Sequence, residues 1–430
     1  MSSSPKPTPP TLGTRRTPYE ICTQCIMDTT DPEIVFDAAG VCNHCRRYAR
    51  GMAEDAVGGR EGRAALQAVA ARIRREGAGR PYDCMIGLSG GVDSSYVAYL
   101  TRQLGLRPLA VHVDNGWNSE LAARNIESIV TKLGIDLVTK VLDWEEFRSL
   151  QVAFLRSSTP DCEVASDHAI AAALYRTAIR HGIKYLVHGT NLATEQMMPR
   201  TWSYGHFDWR YIRAVAASHG GRDLRTFPHY TPFELEVTFP YLHRLREVFP
   251  LNMIDYDKAE AVSVIKRELD WQEYGAKHHE SIYTRFHQTW LLPRKFGVDK
   301  RRAHLSCLVN AGQLSREAAL LEIARAPLDS GQLEIDRQFV IKKLGLSEAE
   351  FAAIAAAPIR SFWQYPSYEA DRPFFWERVL GRAQRTIRQL RADSAAPLVS
   401  LPSMSGDQNG TTGTDAAVID LDLSNPSSRP

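Results

Sequence analysis

The sequence predicts an α/β protein: a parallel sheet with helices on both faces, a small N-terminal cysteine knuckle before it and a mainly helical region after it. Three observations carry this reading. Short apolar runs alternate with helix-period segments between residues 60 and 195. A glycine-rich loop stands between the first such run and the first such helix. Two C-x2-C pairs precede the block.

Each element follows from its residues. Residues 1–18 are rich in Ser, Pro and Thr, lack the apolar core of a signal peptide and read as a disordered leader. Residues 19–50 hold Cys22, Cys25, Cys42 and Cys45, spaced C-x2-C-x16-C-x2-C as in a four-thiolate zinc site, with an Asp37–Gly40 turn to bring the pairs together. A disulfide or iron–sulfur centre is the alternative, and His44 is expected to be a bystander. A helix is expected over Glu61–Arg75. Strands are expected at Asp83–Leu88, Arg107–Val113, Asp136–Val141 and Tyr185–His188. Helices are expected at Ser94–Leu104, Glu120–Leu133 and Asp167–His181. Ligands of such sheets sit at the carboxyl ends of the strands, which puts Ser89–Ser95, Asp114–Gly116 and Gly189–Glu195 on one edge. The ATP-binding domain is therefore drawn at 60–195. An aromatic-rich, helical substrate region covers 196–391, and a disordered tail covers 392–430.

Composition narrows the function. The 430 residues carry a formal net charge of only +2, which argues mildly against a nucleic-acid binder. No apolar run is long enough to span a bilayer, and a cytoplasmic location is expected. The loop Ser89-Gly90-Gly91-Val92-Asp93-Ser94-Ser95 is suited to phosphate, with its glycines turning the backbone and the following helix presenting its positive end. It lacks the lysine of a Walker loop, so it suits a departing pyrophosphate better than a transferred γ-phosphate. Asp93 is expected to serve magnesium or to cap the helix. The segment from Gly275 to Leu320 is dense in Lys, Arg, His and aromatic residues and can clamp phosphates and stack a ring.

The loop resembles that of the ATP pyrophosphatases, the PP-loop (HUP-like) or adenine nucleotide alpha hydrolase-like superfamily. The resemblance implies ATP cleavage between the α and β phosphates. Together with "CIMDTTDPEIVFDAAGVCNHC", "GTNLATE" and "LPRKFGVDKRRAHLS", the chain resembles the N-acetyl sugar amidotransferase branch, from about Glu20 to Leu320 and more weakly to Gln389. Gly275-Ala276-Lys277 and Cys162-Glu163 depart from the pattern. The resemblance implies an enzyme of surface-polysaccharide (LPS O-antigen type) assembly that adenylates the acetamido group of a nucleotide-linked sugar and replaces its oxygen with ammonia. It implies ATP, Mg2+ and a structural Zn2+ on the four cysteines. The chain shows no glutaminase, so ammonia is expected from a separate glutaminase with a cyclase-like subunit.

On this reading Ser89, Asp93 and Lys295 are the catalytic candidates. Ser89, Gly90, Gly91, Asp93, Ser94 and Ser95 hold pyrophosphate, Asp114 and Asn115 the ribose or adenine, and Gly189, Thr190 and Asn191 the nucleotide. Asp167, His168, Glu195, Lys277, Lys300 and Arg301 are candidates for substrate binding. The rival reading is a tRNA thiolase, for which Cys162 and Cys307 would have to supply reactive sulfur.

Overall fold

The computed structural model describes residues 18–368 apart from Ala276 and His278. The expected leader (save Pro18) and the expected tail lie outside the described residues. Two helices, α1 (Asn43–Asp55) and α2 (Gly59–Glu76), lead into the sheet. Then β1 (Cys84–Gly87), α3 (Val92–Gln103), β2 (Pro108–Asp114), α4 (Glu120–Leu133) and β3 (Asp136–Val141) follow in strict alternation. Next come α5 (Trp144–Ser157), α6 (Val164–Arg180), β4 (Tyr185–Val187), the single turn α7 (Leu192–Glu195) and α8 (Trp209–Ser218). A wide π-helical stretch, Glu234–Leu242, precedes β5 (Arg246–Val248) and α9 (Lys258–Leu269). After α10 (Ile282–Phe286) a second π-helical stretch, His287–Phe296, leads to α11 (Arg301–Asn310), α12 (Arg316–Ala324), α13 (Ser330–Leu344) and α14 (Glu348–Ala356).

All five strands run parallel in the order β3-β2-β1-β4-β5. Side chains alternate faces, as a pleated strand requires. Cys84 and Ile86 of β1, Ala110 of β2 and Val187 of β4 pack with α2, α3, α4 and α9. Met85, Leu109, Val111 and Leu186 pack with α6 on the other face. The chain builds outward from β1 through β2 to β3, then crosses back to place β4 on the far side of β1. The direction of winding changes between β1 and β4, so the loops after these strands part and leave a crevice.

The sequence reading differs in three places. A fifth strand, β5, was not expected; its three residues are too short to show an alternation. Helix α5 was also missed, although Asp143 caps it by accepting a hydrogen bond from Glu146 N at 2.9 Å. And α6 begins at Val164, so Asp167 lies within its first turn and does not open it.

Candidate phosphate site and four-thiol centre

The loop after β1 turns at Gly90, whose φ of +82° favours glycine, and a Cβ there would stand 2.9 Å from the carbonyl of Ala122. Gly91 is the residue before α3, and Ser95 Oγ donates to its carbonyl at 2.6 Å. Ser89 Oγ lies 3.1 Å from Ser94 Oγ and accepts from Gly91 N at 3.2 Å. Trp271 locks the turn from outside, its indole N–H donating to Gly90 O at 2.8 Å. Across the crevice Gly189 comes so close to α3 that a Cβ would meet the Asp93 carbonyl carbon and the Ser94 nitrogen at 3.0 Å.

The lysine missing from the loop arrives from far along the chain. Lys277 Nζ sits 2.8 Å from Glu195 Oε1 and 3.4 Å from Asp93 Oδ2, with its side chain only 12% exposed. Burial opposes its charge, but Glu195 and Asp93 outweigh burial and hold the amine above its ordinary range. A second amine, Lys258 at the start of α9, lines the same cavity; burial first, then Lys277, lowers its affinity for the proton. Asp93 does not cap α3, since it lies in the first turn, where it accepts from Tyr256 OH and meets Lys277. The cavity, of about 280 Å3, is also lined by Ser89, Thr190, Tyr274 and Glu280. Burial raises the Glu280 carboxyl to about 7, against a smaller opposing effect from Tyr274. Sequence reasoning missed Lys258, Tyr274 and Glu280 because their only signal is distance in space, with no motif to mark them.

Other expected residues go elsewhere. Asp114 lines a neighbouring cavity of about 530 Å3 with His112, Gly116 and Asn118, a volume that can take a nucleoside. Asn115 turns away and donates from its amide to Ser166 Oγ at 3.4 Å. Asn191 is spent as the cap of α7, accepting from Thr194 N at 2.9 Å. His168 is a correction: its Nδ1 donates to His206 O at 2.8 Å and its Nε2 accepts from Tyr230 N at 3.3 Å. Its ring also stacks on Tyr230 and Trp209, and burial lowers its pKa to about 4, so it is a neutral core residue. Lys295 does not join the loop. It donates to Ser158 Oγ at 2.8 Å and to Ile354 O, because the π-helical stretch that carries it packs on α14. Arg301 pairs with Asp299 at 2.8 Å and donates to carbonyls at the end of α12. Lys300 pairs with Glu163 at 3.4 Å and Asp167 lies in the first turn of α6, so neither lines the phosphate cavity.

The four cysteines converge. All four are at most 2% exposed, and their sulfurs lie within 4.8 Å of one another, with three separations of 3.7–3.9 Å. Sulfurs tetrahedrally arranged about 2.3 Å from a zinc ion stand about 3.8 Å apart, so this set fits that metal. Backbone N–H groups of Cys25, Met27 and Cys42 donate to the sulfurs at 3.3–3.5 Å, which favours thiolates. The knuckle is bound to a segment far along the chain, in and just after α11. Ser306 Oγ accepts from Ile26 N at 3.2 Å, Arg316 donates to the carbonyls of Cys22 and Cys25, and Asn310 donates to Cys45 Sγ at 3.5 Å. His44, the expected bystander, pairs with Asp31 at 2.6 Å. Cys162 and Cys307 are each 1% exposed, and burial raises both thiols, Cys307 to about 12. Neither is set up as reactive sulfur, which removes the support a thiolase would need.

Comparisons with known proteins give two family matches and a few distant relatives. Residues 280–380 match the family described as LPS biosynthesis protein WbpG-like, C-terminal domain. Residues 65–212 match the NAD synthase family. A tRNA(Ile)-lysidine synthase from Chlamydia pneumoniae is 38% identical over 64 residues, 14% of this chain and 20% of that protein. Another, from Chlamydia felis (strain Fe/C-56), is 27% identical over 130 residues, 28% of this chain and 37% of that protein. The chain thus spans well under half the length of these curated relatives. The NMN synthetase from Francisella tularensis superposes with a TM-score of 0.32 at 15% identity, covering 66% of this chain and 96% of that one. No helix among the described residues is long and apolar enough to cross a membrane. A lysine-free phosphate loop at the switch point of a parallel sheet and these two matches support one statement: residues 65–212 are similar to a PP-loop ATP-using domain, and residues 280–380 to the WbpG-like C-terminal domain.

Proposed function

We propose that this protein is an ATP-dependent amidotransferase of lipopolysaccharide biosynthesis, acting on the acetamido group of a nucleotide-linked N-acetyl sugar. The observation that carries the reading is the pairing of a pyrophosphate loop, completed by Lys277 and Lys258, with a C-terminal segment of the WbpG-like family. The acetamido oxygen attacks the α-phosphorus of ATP, the bond to the β-phosphate oxygen breaks, and pyrophosphate leaves with the electron pair. The amide nitrogen gives up its proton to solvent as the imidoyl adenylate forms; ammonia then adds to the imidoyl carbon, and AMP departs with the carbon–oxygen electron pair, leaving an amidinium that carries ammonia's three hydrogens. An amide carbon is a poor electrophile, and adenylation supplies the leaving group it lacks.

The residues divide this work. The Gly90–Ser95 turn and the first N–H groups of α3 take the departing charge, with Lys277 and Lys258 as fixed cations beside it. Asp93 and Glu195 hold Lys277 in place and are the carboxylates available to magnesium, which would screen the triphosphate. The cavity at Asp114 would take the nucleoside. The four thiolates would hold zinc in a structural role, since no coordination position stays open. Ammonia would come from a separate glutaminase with a cyclase-like subunit.

The test is incubation of the full chain with ATP, Mg2+, ammonium and a panel of nucleotide-linked N-acetyl sugars. Sugar-dependent pyrophosphate release, with a product lighter by the difference between O and NH, is expected. Release that depends instead on tRNA and a sulfur donor would move the protein to another reaction.

A further inference from the structure

The turn between α11 and α12 touches the four-thiol centre on one side and the walls of the phosphate cavity on the other. Asn310 is the last residue of α11 and Arg316 the first of α12. Both reach toward the cysteines. Asn310 Nδ2 donates to Cys45 Sγ at 3.5 Å, and Arg316 donates to Cys22 O at 2.8 Å and to Cys25 O at 3.0 Å. Gln24 Nε2 donates back to Asn310 Oδ1 at 2.6 Å.

Gln313 stands between these two and reaches the other way. Its Oε1 accepts from Lys258 N at 3.1 Å, and its Nε2 donates to Tyr256 O at 2.7 Å. Its own N–H donates to Leu308 O at 2.9 Å, which ties its backbone to α11. Lys258 is the first residue of α9, where a helix offers its N–H no acceptor, and Gln313 supplies one. The two residues held in this way both serve the phosphate loop: Tyr256 OH donates to Asp93, and Lys258 lines the cavity. Helix α1 makes a parallel attachment. Cys45 lies in its first turn, and Arg47 donates to Gln196 O at 3.3 Å and Met198 O at 3.2 Å, just past α7, whose Glu195 holds Lys277.

The shape of the thiol loop depends on its charge. Four buried thiolates within 4.8 Å of one another are held together by a cation; without one they must take up protons or move apart. The acceptors of Asn310 and Arg316 then move with them, and Gln313 loses the grip on both of its flanks. With the metal bound, the turn is fixed at both ends, and Gln313 holds the start of α9 against the loop.

We propose that Gln313 is a positioning residue of the phosphate site: it ties Tyr256 and Lys258 to the four-thiol centre, so that zinc and ATP each favour binding of the other. The inference rests on the reading of the cavity as an ATP site and not on the identity of the sugar. The effect is reciprocal, since whatever factor zinc adds to the affinity for ATP, ATP adds to the affinity for zinc. A glutamine that only packed the turn would change stability and leave the two affinities independent.

The full chain, loaded with zinc, is titrated with Mg2+ and the ATP analogue whose α and β phosphorus atoms are bridged by a methylene group, which cannot release pyrophosphate. Calorimetry gives its affinity. Competition with a chromogenic chelator gives the affinity for zinc, with and without the analogue. In wild type, saturating analogue should tighten zinc binding about fivefold or more, a result that needs no variant to fold. Gln313→Leu should weaken the analogue about fivefold or more, as expected for losing two part-buried hydrogen bonds. It should also reduce the linkage to about twofold or less, the remainder passing through α1 and α7. Zinc affinity that does not respond to bound analogue in wild type, or a linkage in Gln313→Leu equal to that of wild type, would overturn the positioning role while leaving the ATP site intact. Failure of wild type to bind the analogue would overturn the ATP reading of the cavity itself, and the role of Gln313 with it.

Discussion

Glu280 sits in the phosphate cavity with Oε1 so near Gly91 that an added Cβ there would be 3.1 Å away, and burial raises its carboxyl to about 7. The unfolded chain would ionise this group near 4.5. Below that pH it is protonated in both states and costs nothing. Between about 4.5 and 7 the unfolded chain carries the charge while the folded one does not, so stability falls as pH rises. Above 7 the penalty is fully present, at about 3 kcal/mol from the size of the shift. Glu280→Gln keeps the shape and removes the ionisation. In denaturant titrations of the nucleotide-free protein, the variant should gain about 2 kcal/mol on wild type between pH 5 and pH 8. Below pH 5 the two should converge toward a constant offset. A difference that stays flat across this range would refute the reasoning, and so would one that moves the other way. The same carboxylate, once ionised, repels a triphosphate, so ATP binding by wild type should weaken through pH 7 and that of the variant should not.

Other expectations follow from the same geometry. Lys277→Met should lower pyrophosphate formation by about 10²- to 10³-fold, the usual effect of removing one fixed cation or donor from developing charge, and single-turnover measurement of pyrophosphate checks it. Gly90→Ala forces a side chain at φ +82° against the Ala122 carbonyl; a loss of about 1–3 kcal/mol should appear in thermal unfolding, with loss of ATP binding. His168→Phe should leave the sugar KM unchanged while destabilising the fold by about 1–3 kcal/mol, because Tyr230 N loses its acceptor and His206 O its donor. Metal analysis should return one zinc per chain. A chelator should release it and increase hydrogen exchange in α11 as well as in the knuckle, because Asn310 and Ser306 reach the thiolate loop.

The parts of the sequence that were readable are those in which local chemistry is sufficient. The strand-loop-helix unit at 84–103 and the paired cysteines declare themselves through residue types at fixed short spacing. So does β2, whose apolar run suits a buried strand, whereas β3 is a largely exposed edge strand of mixed residues. The basic stretch after Gly275 was readable only as a class. Lys277 enters the phosphate cavity, Lys295 packs on α14 and Arg301 braces α12, and nothing in the local sequence separates the three. His168 shows the same limit, because a histidine stacked in an aromatic core and a histidine that binds ligand have the same neighbours in sequence. Lys258 and Glu280 were silent for a further reason: α9 and the turn before α10 return to the loop only after the chain has completed the sheet.

The knuckle's attachments also bear on the order in which the chain is made. Cys22 to Cys45 leave the ribosome well before the groups that cover them, Ser306, Asn310 and Arg316, which lie 265 to 294 residues further on. Domains tend to fold as they emerge, and contacts between distant segments form late. Until those residues emerge, the four thiols are therefore uncovered. Early metal capture would protect them from oxidation, and the helices that bury the centre close over it only once residues 306–316 have been made.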